Sequence, residues 1–209
     1  MTKFLVVFDV DSTLIEDEAI ELLAKRAGTF EQVAEVTERA MRGELDFAQS
    51  LHERVATLAG LPDSVLDETA KILRPTTGAK ELIAEIHRRG GKVAAVSGGF
   101  NQLLEPLKLQ LDLDLAIANN LEVFEGKLTG RVTGEIIDRS AKAKYLKLWA
   151  AESGLEPKQT IAVGDGANDL EMMSVAGLSI AFCAKPVVRE QANISLSERD
   201  LRHIAAVLP

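Results

Sequence analysis

The segment Phe4-Leu5-Val6-Val7-Phe8-Asp9-Val10-Asp11-Ser12-Thr13 runs from five consecutive apolar residues into two carboxylates and two hydroxyls. An apolar run of this length reads as a strand buried on both faces, as in parallel sheets. Side chains alternate along a strand, so continuing it would send Asp9 and Asp11 to the same side. Two like charges that close need a cation or a shared proton. The carboxyl end of a buried strand is also where open α/β sheets hold their ligands. The same residue types suit a surface turn, since Asp, Ser and Thr favour turns and helix caps.

Working outward, residues 93–96, 160–163 and 178–182 give further short apolar runs that read as buried strands. The first two are followed at once by the loops Ser97-Gly98-Gly99 and Gly164-Asp165-Gly166-Ala167-Asn168-Asp169. Strands alternating with helical patterns predict an α/β fold, a doubly wound and mostly parallel sheet of Rossmann-like type. Three polar loops at three strand ends would then converge on one edge. Between the first strand and Pro75 only helical periodicity is present, over 17–27, 30–42, 47–59 and 64–73, broken at Gly28, Gly43 and Leu61-Pro62. This reads as a small helical cap inserted after the first strand: residues 14–75 against a core of 1–13 and 76–209. Residues 79–89 form the helix that precedes the second strand, and 121–130 read as a β-hairpin turning near Glu125-Gly126.

Composition sets outer limits. The 209 residues suffice for one sizeable core, and 46% hydrophobic with 27% charged residues is ordinary for a globular protein. A net charge of −8 argues against nucleic acid as a partner, because phosphate backbones require a basic footprint. It leaves room for a small phosphorylated molecule in a locally cationic pocket. The one cysteine, Cys183, ends an apolar run and reads as a small buried hydrophobe; His52, His87 and His203 lack ligand spacing. Only five apolar residues separate Lys3 from Asp9, too few for a signal peptide, and no run reaches the ~18 residues of a membrane span. The expectation is a cytoplasmic protein with no membrane partner.

Asp9-x-Asp11-x-Thr13, the strand-end Ser97-Gly98-Gly99, Lys142 and Gly164-Asp165-Gly166-Ala167-Asn168-Asp169 resemble, in order, the four motifs of the haloacid dehalogenase superfamily. Within it the chain is similar to the branch that hydrolyses O-phosphoserine, at the end of serine synthesis. Ser97-Gly98-Gly99-Phe100, Phe182-Cys183-Ala184-Lys185-Pro186 and Asp46-Phe47-Ala48-Gln49-Ser50-Leu51 carry that closer likeness. The resemblance implies phosphoryl transfer through an aspartyl-phosphate. Asp9 would be the nucleophile, and Asp11 the proton donor to the leaving oxygen and then the base for water. A Mg²⁺ ion would be held by Asp9, Asp165 and a carbonyl of Asp11, with Asp169 supporting its shell, and Thr13 and Gly99 would be supporting residues of the site. Ser97 and the Gly98 amide, at a helix start, can bind phosphate oxygens, and Asn168 would reach the same group.

Lys142 would neutralise the phosphoryl charge, although Lys144 is a near rival and a lone helix lysine is more often solvated. Gly164-x-Gly166 also opens like a dinucleotide fingerprint. Asp169 stands where the third glycine belongs, and an acid there would repel a pyrophosphate.

An O-phosphoserine pocket needs a cation for the carboxylate and an anion for the ammonium. The resemblance assigns these to Arg54 and Glu18. Arg54 has independent support, since it falls within the apolar stripe of Phe47, Leu51 and Leu58, where a charge needs a partner; a snorkelling arginine is the competing reading. Glu18 lies opposite Ile20, Leu23 and Ala27 and reads as solvated by period alone. Met41 and Phe47 would be apolar walls, a place in the core explaining them equally well. The expected partner is thus a small phosphomonoester. The alternatives are another small phosphomonoester, or a phospho-accepting signalling receiver, which lacks both a helical insert and a residue placed like Asp11.

Overall fold

The computed structural model describes residues 2–209. Its strands are β1 (Leu5–Phe8), β2 (Lys92–Phe100), β3 (Leu115–Phe124), β4 (Lys127–Thr133), β5 (Thr160–Gly164), β6 (Leu178–Phe182) and β7 (Ile194–Leu196). They form one sheet in the order β4-β3-β2-β1-β5-β6-β7, with β1 at its centre and only the β3–β4 pair antiparallel. This is the expected doubly wound α/β architecture.

Alternation along β1 divides the interior. Phe4, Val6 and Phe8 join one apolar cluster, with α5 (Ala79–Arg88) and α6 (Asn101–Leu111). Leu5 and Val7 join another, with α7 (Arg139–Glu152), α8 (Leu170–Val175) and α9 (Pro186–Gln191). All four β1 residues are fully buried. Completely burying such a side chain contributes about 1.5–3 kcal/mol, which explains why so short a strand anchors the sheet.

Four helices form an insert between β1 and α5: α1 (Ala19–Ala27), α2 (Phe30–Met41), α3 (Phe47–Ala56) and α4 (Ser64–Ala70). Leu23, Val33, Leu51, Val55 and Leu58 close their common interior, which is continuous with the first cluster. A capping box starts α3: Asp46 Oδ1 accepts from the Gln49 amide at 2.8 Å, and Gln49 Oε1 from the Asp46 amide at 3.0 Å. Such a cap stabilises a helix by about 1 kcal/mol and gives the Asp46–Leu51 motif a physical role. The chain is zipped where it leaves and re-enters the sheet layer, by Thr76 N to Leu14 O at 2.9 Å and an Arg74–Asp17 ion pair at 2.7 Å.

Three details differ from the sequence reading. Ser97-Gly98-Gly99 is strand, not the start of a helix; β2 runs to Phe100 and α6 begins at Asn101. Asn119 Nδ2 on the neighbouring strand β3 holds the Gly98 and Gly99 carbonyls at 2.9 and 3.2 Å, keeping the glycines extended. β1 ends at Phe8, so strand alternation does not carry on to Asp11; a tight turn over Val10–Leu14 follows, with Ser12 left-handed at φ +57. Cys183, expected as a buried small hydrophobe, is only half-buried, in a bend just beyond β6.

Candidate active site

The sheet order brings the ends of β1, β2, β5 and β6 together under the helical insert. A cavity of about 500 Å³ lies between them. Asp9, Asp11, Glu18, Met41, Phe47, Arg54, Gly98, Gly99, Asp165 and Asn168 all line it. Ser97, Thr13, Lys142 and Asp169 are buried directly beneath.

Asp9 follows the last residue of β1. Its Oδ1 accepts from the Val10 amide at 2.7 Å and lies 2.7 Å from Lys142 Nζ. Lys142 is 1% exposed and bridges Asp9 to Asp169, also at 2.7 Å. It projects inward from the first turn of α7, which Asp138 caps through the Ala141 amide at 2.8 Å. Lys144, two residues or about 200° further round the helix, is exposed and pairs with Glu135. Helix phase therefore gives Lys142, not Lys144, the position beside Asp9. Burial alone would lower the Lys142 ammonium, but Asp169 and Asp9 outweigh it and raise its pKa.

The glycine-rich loop after β5 is folded around Asp169. Its Oδ2 accepts from the Asp165 and Gly166 amides at 3.1 Å each, while Oδ1 holds Lys142. A Cβ on Gly164 would lie 2.3 Å from Asp169 Oδ2, so only glycine lets the carboxylate close over the strand end. Asp165 Oδ1 accepts from buried Thr13 at 3.2 Å.

Asp11 turns the other way. Its Oδ1 accepts from the Ala19 amide at 2.8 Å, and Oδ2 from Ser97 Oγ at 3.3 Å. Ser97 Oγ in turn accepts from the Gly99 amide at 2.8 Å. Burial and the Glu18 charge push Asp11 up to about 7. Desolvation and Asp169 raise Asp9 as well, and desolvation and Asp169 bring Asp165 to about 6.

Asp9, Asp165 and Asp169 each offer an oxygen within 4.8 Å of the others. With Lys142 as their one buried cation among the described residues, the group keeps excess negative charge. Both oxygens of Asp169 and one of Asp9 are occupied, which leaves Asp9 Oδ2 and one Asp165 oxygen without donors among the described residues. Hard oxygen donors, few in number and short of positive charge, fit Mg²⁺, which keeps several waters and takes one or two carboxylates.

These shifts set a pH dependence. With folded pKa values above the ordinary carboxylate range, the native state binds more protons than the unfolded chain between about pH 4 and 7. Stability of the metal-free protein is therefore present at the acidic end of that window and lost as pH rises. Glu85 and Asp200, held near 2 by Arg88 and Arg202, act oppositely but only at lower pH. Thermal unfolding in EDTA should show Tm falling by several degrees from about pH 5 to about pH 8, with saturating Mg²⁺ flattening the decline. A Tm in EDTA that rises across this range would contradict the crowding of carboxylates.

The insert supplies the roof. Arg54 is half-buried on α3, its Nε donating to Ser50 O at 3.2 Å, with no carboxylate within 4.0 Å among the described residues. Burial lowers its pKa, opposed by Glu18 and Asp11. Glu18 precedes α1 at the cavity lip, exposed as the helical period implied, and accepts from Ser12 Oγ at 2.6 Å. Phe47 lies over Gly98, where a Cβ would come within 3.0 Å of its ring. Met41 is 70% exposed on the rim, which excludes a core role for it. Two further charged cavity residues, Arg139 and Lys185, have no site role in the sequence reading. Lys185 lay inside the quoted Phe182–Pro186 motif, which carried the only signal.

A buried aspartate at the end of the central strand, a carboxylate cluster and a helical roof define a class of phosphoryl-transfer hydrolase. The chain belongs to the haloacid dehalogenase-like hydrolases, whose family model matches residues 6–174. Its relatives within that family are more particular. It is 54% identical over 206 residues to phosphoserine phosphatase from Streptococcus thermophilus, covering 99% of this chain and 96% of the relative. It is 58% identical over 193 residues to phosphoserine phosphatase from Streptomyces coelicolor, and spans 47% of that longer protein. A solved structure described as a phospho-aspartyl intermediate analogue of phosphoserine phosphatase superimposes with a TM-score of 0.94, at 46% identity and full coverage of both chains.

Proposed function

We infer that this enzyme hydrolyses O-phosphoserine to serine and inorganic phosphate through a phosphoryl group carried on Asp9. The observation that carries this reading is the setting of Asp9. One of its oxygens is fixed by Lys142 and Val10, the other is without a donor, and Asp11 lines the same cavity. The phosphoserine phosphatase relatives support the choice of substrate.

In the first step a carboxylate oxygen of Asp9 attacks phosphorus in line with the seryl oxygen; the Asp9–phosphorus bond forms as the ester bond breaks. Asp11, with a carboxyl that is partly protonated near neutral pH, gives its proton to the departing oxygen. It then takes a proton from the water that displaces Asp9 from phosphorus. Lys142 restrains Asp9 and offsets phosphoryl charge, while Ser97, the Gly98 amide and Asn168 receive phosphate oxygens. A Mg²⁺ ion held by Asp9, Asp165 and the Asp11 carbonyl would supply further neutralisation of the anionic groups.

Residues 14–75 act as a cap that reads the amino-acid end of the substrate. The Arg54 guanidinium takes the carboxylate and Glu18 the ammonium, with Met41 and Phe47 as apolar cover. We place the enzyme in the cytoplasm, where a lone cysteine stays reduced; no helix among the described residues is long and apolar enough to cross a membrane.

The test compares kcat/KM on O-phosphoserine, O-phosphothreonine, a sugar phosphate and p-nitrophenyl phosphate. Arg54→Ala should raise KM for O-phosphoserine at least about tenfold, with much less effect on the aryl phosphate. No preference for O-phosphoserine in the parent would remove the substrate assignment. Equal losses on both substrates would make Arg54 a structural residue.

A further inference from the structure

The two cations that the cavity wall receives from the sheet layer differ in one respect. The Arg139 guanidinium is held by Glu171 at 2.7 Å, so its charge is balanced locally. Lys142, Lys144 and Lys158 likewise each have a carboxylate partner. Lys185 lines the cavity, is exposed, and has no carboxylate within 4.0 Å among the described residues.

Its position is built by the backbone. After β6 ends, Cys183 turns the chain with φ +47, its amide donating to Leu196 O at 2.7 Å. Two residues on, the Lys185 amide donates to the Asp165 carbonyl at 3.0 Å. Pro186 then opens α9 with its φ already fixed. Lys185 is thereby tied to the loop of Asp165 and Asn168, on the side of the cavity where the phosphate would lie.

Electrostatics give that position a use. Asp9, Asp11, Glu18 and Asp165 all face the cavity, and the whole chain carries −8. An approaching phosphate dianion meets repulsion from each of them. The charge of Lys142 is committed to Asp9 and Asp169 below the floor, and Arg54 sits in the insert near Glu18. Lys185 is the uncommitted cation on the sheet side of the mouth among the described residues.

We propose that Lys185 captures the phosphate group at the cavity mouth and holds product phosphate there as it leaves, setting preference for dianionic ligands without taking part in bond making. The proposal rests on the phosphatase reading above. A compact ammonium on a flexible stem can follow a phosphate in transit. Its influence extends about a Debye length, ~10 Å at 0.1 M salt, and acts on binding more than on the chemical step.

The experiment measures kcat and KM for O-phosphoserine and p-nitrophenyl phosphate, and Ki for inorganic phosphate, at low and high ionic strength. The Mg²⁺-loaded parent is compared with Lys185→Gln and Lys185→Arg. Lys185→Gln should raise both KM values and the phosphate Ki by roughly three- to tenfold at low salt, with kcat within about twofold of the parent. The difference should shrink at high salt, and Lys185→Arg should recover most of it. Unchanged KM and Ki values would overturn the proposal. So would a loss of kcat that is equal at every salt concentration and is not restored by arginine, because that marks a structural role in the turn. A parent that ignores O-phosphoserine yet shows this pattern on the aryl phosphate would refute the substrate assignment and support the role of Lys185.

Discussion

Asp9→Asn should lose at least about 10⁴-fold in kcat, the scale seen when a catalytic nucleophile is removed, while the protein stays folded. The amide is nearly isosteric, and its oxygen can still accept from Val10 and Lys142, which approach Asp9 at 2.7 Å each. It has no anionic oxygen to attack phosphorus. Burial and the neighbouring Asp169 already disfavour a charge at position 9, so the variant should unfold no earlier than the parent when both are free of metal. Steady-state rates with circular dichroism and thermal melts check both halves. Turnover within tenfold of the parent would exclude Asp9 as the nucleophile.

Lys142→Ala should be the most destabilising single change at the site, by about 3–5 kcal/mol, the usual result of removing one partner from a buried ion pair. The ammonium is almost fully buried and serves two carboxylates at once. Its removal leaves Asp9, Asp165 and Asp169 crowded without a counter-charge, and activity should fall with stability. Lys144→Ala removes only an exposed pair with Glu135 and should change stability by no more than about 0.5 kcal/mol. Urea denaturation of the two variants side by side distinguishes them. Equal stabilities would mean that the buried bridge contributes nothing.

Those contrasts also show which parts of the molecule were legible in its sequence. The runs at 4–8, 160–163 and 178–182 announced strands because a parallel strand buried on both faces leaves an unbroken apolar signature. The glycines of Ser97-Gly98-Gly99 carry no such mark; they are held extended by Asn119, about twenty residues away. Alternation along a strand predicts Asp9 and Asp11 on one side; the chain instead turns after Phe8, with Ser12 in a conformation that its identity does not advertise. Choosing between Lys142 and Lys144 required the phase of α7 relative to the sheet. Glu18 was legible as exposed, yet its place on the cavity lip follows from where α1 begins. Lys185 stands within Phe182-Cys183-Ala184-Lys185-Pro186, and only the turn at Cys183 reveals which way it faces the site.

Rapid acid quench of the Mg²⁺-loaded enzyme mixed with O-phosphoserine, followed by mass spectrometry of its peptides, isolates the covalent step. One phosphoryl group should appear on the peptide that contains Asp9, within the first turnover, and should be absent from Asp9→Asn. Turnover of O-phosphoserine with the phosphoryl group on a different residue would contradict the mechanism built on Asp9.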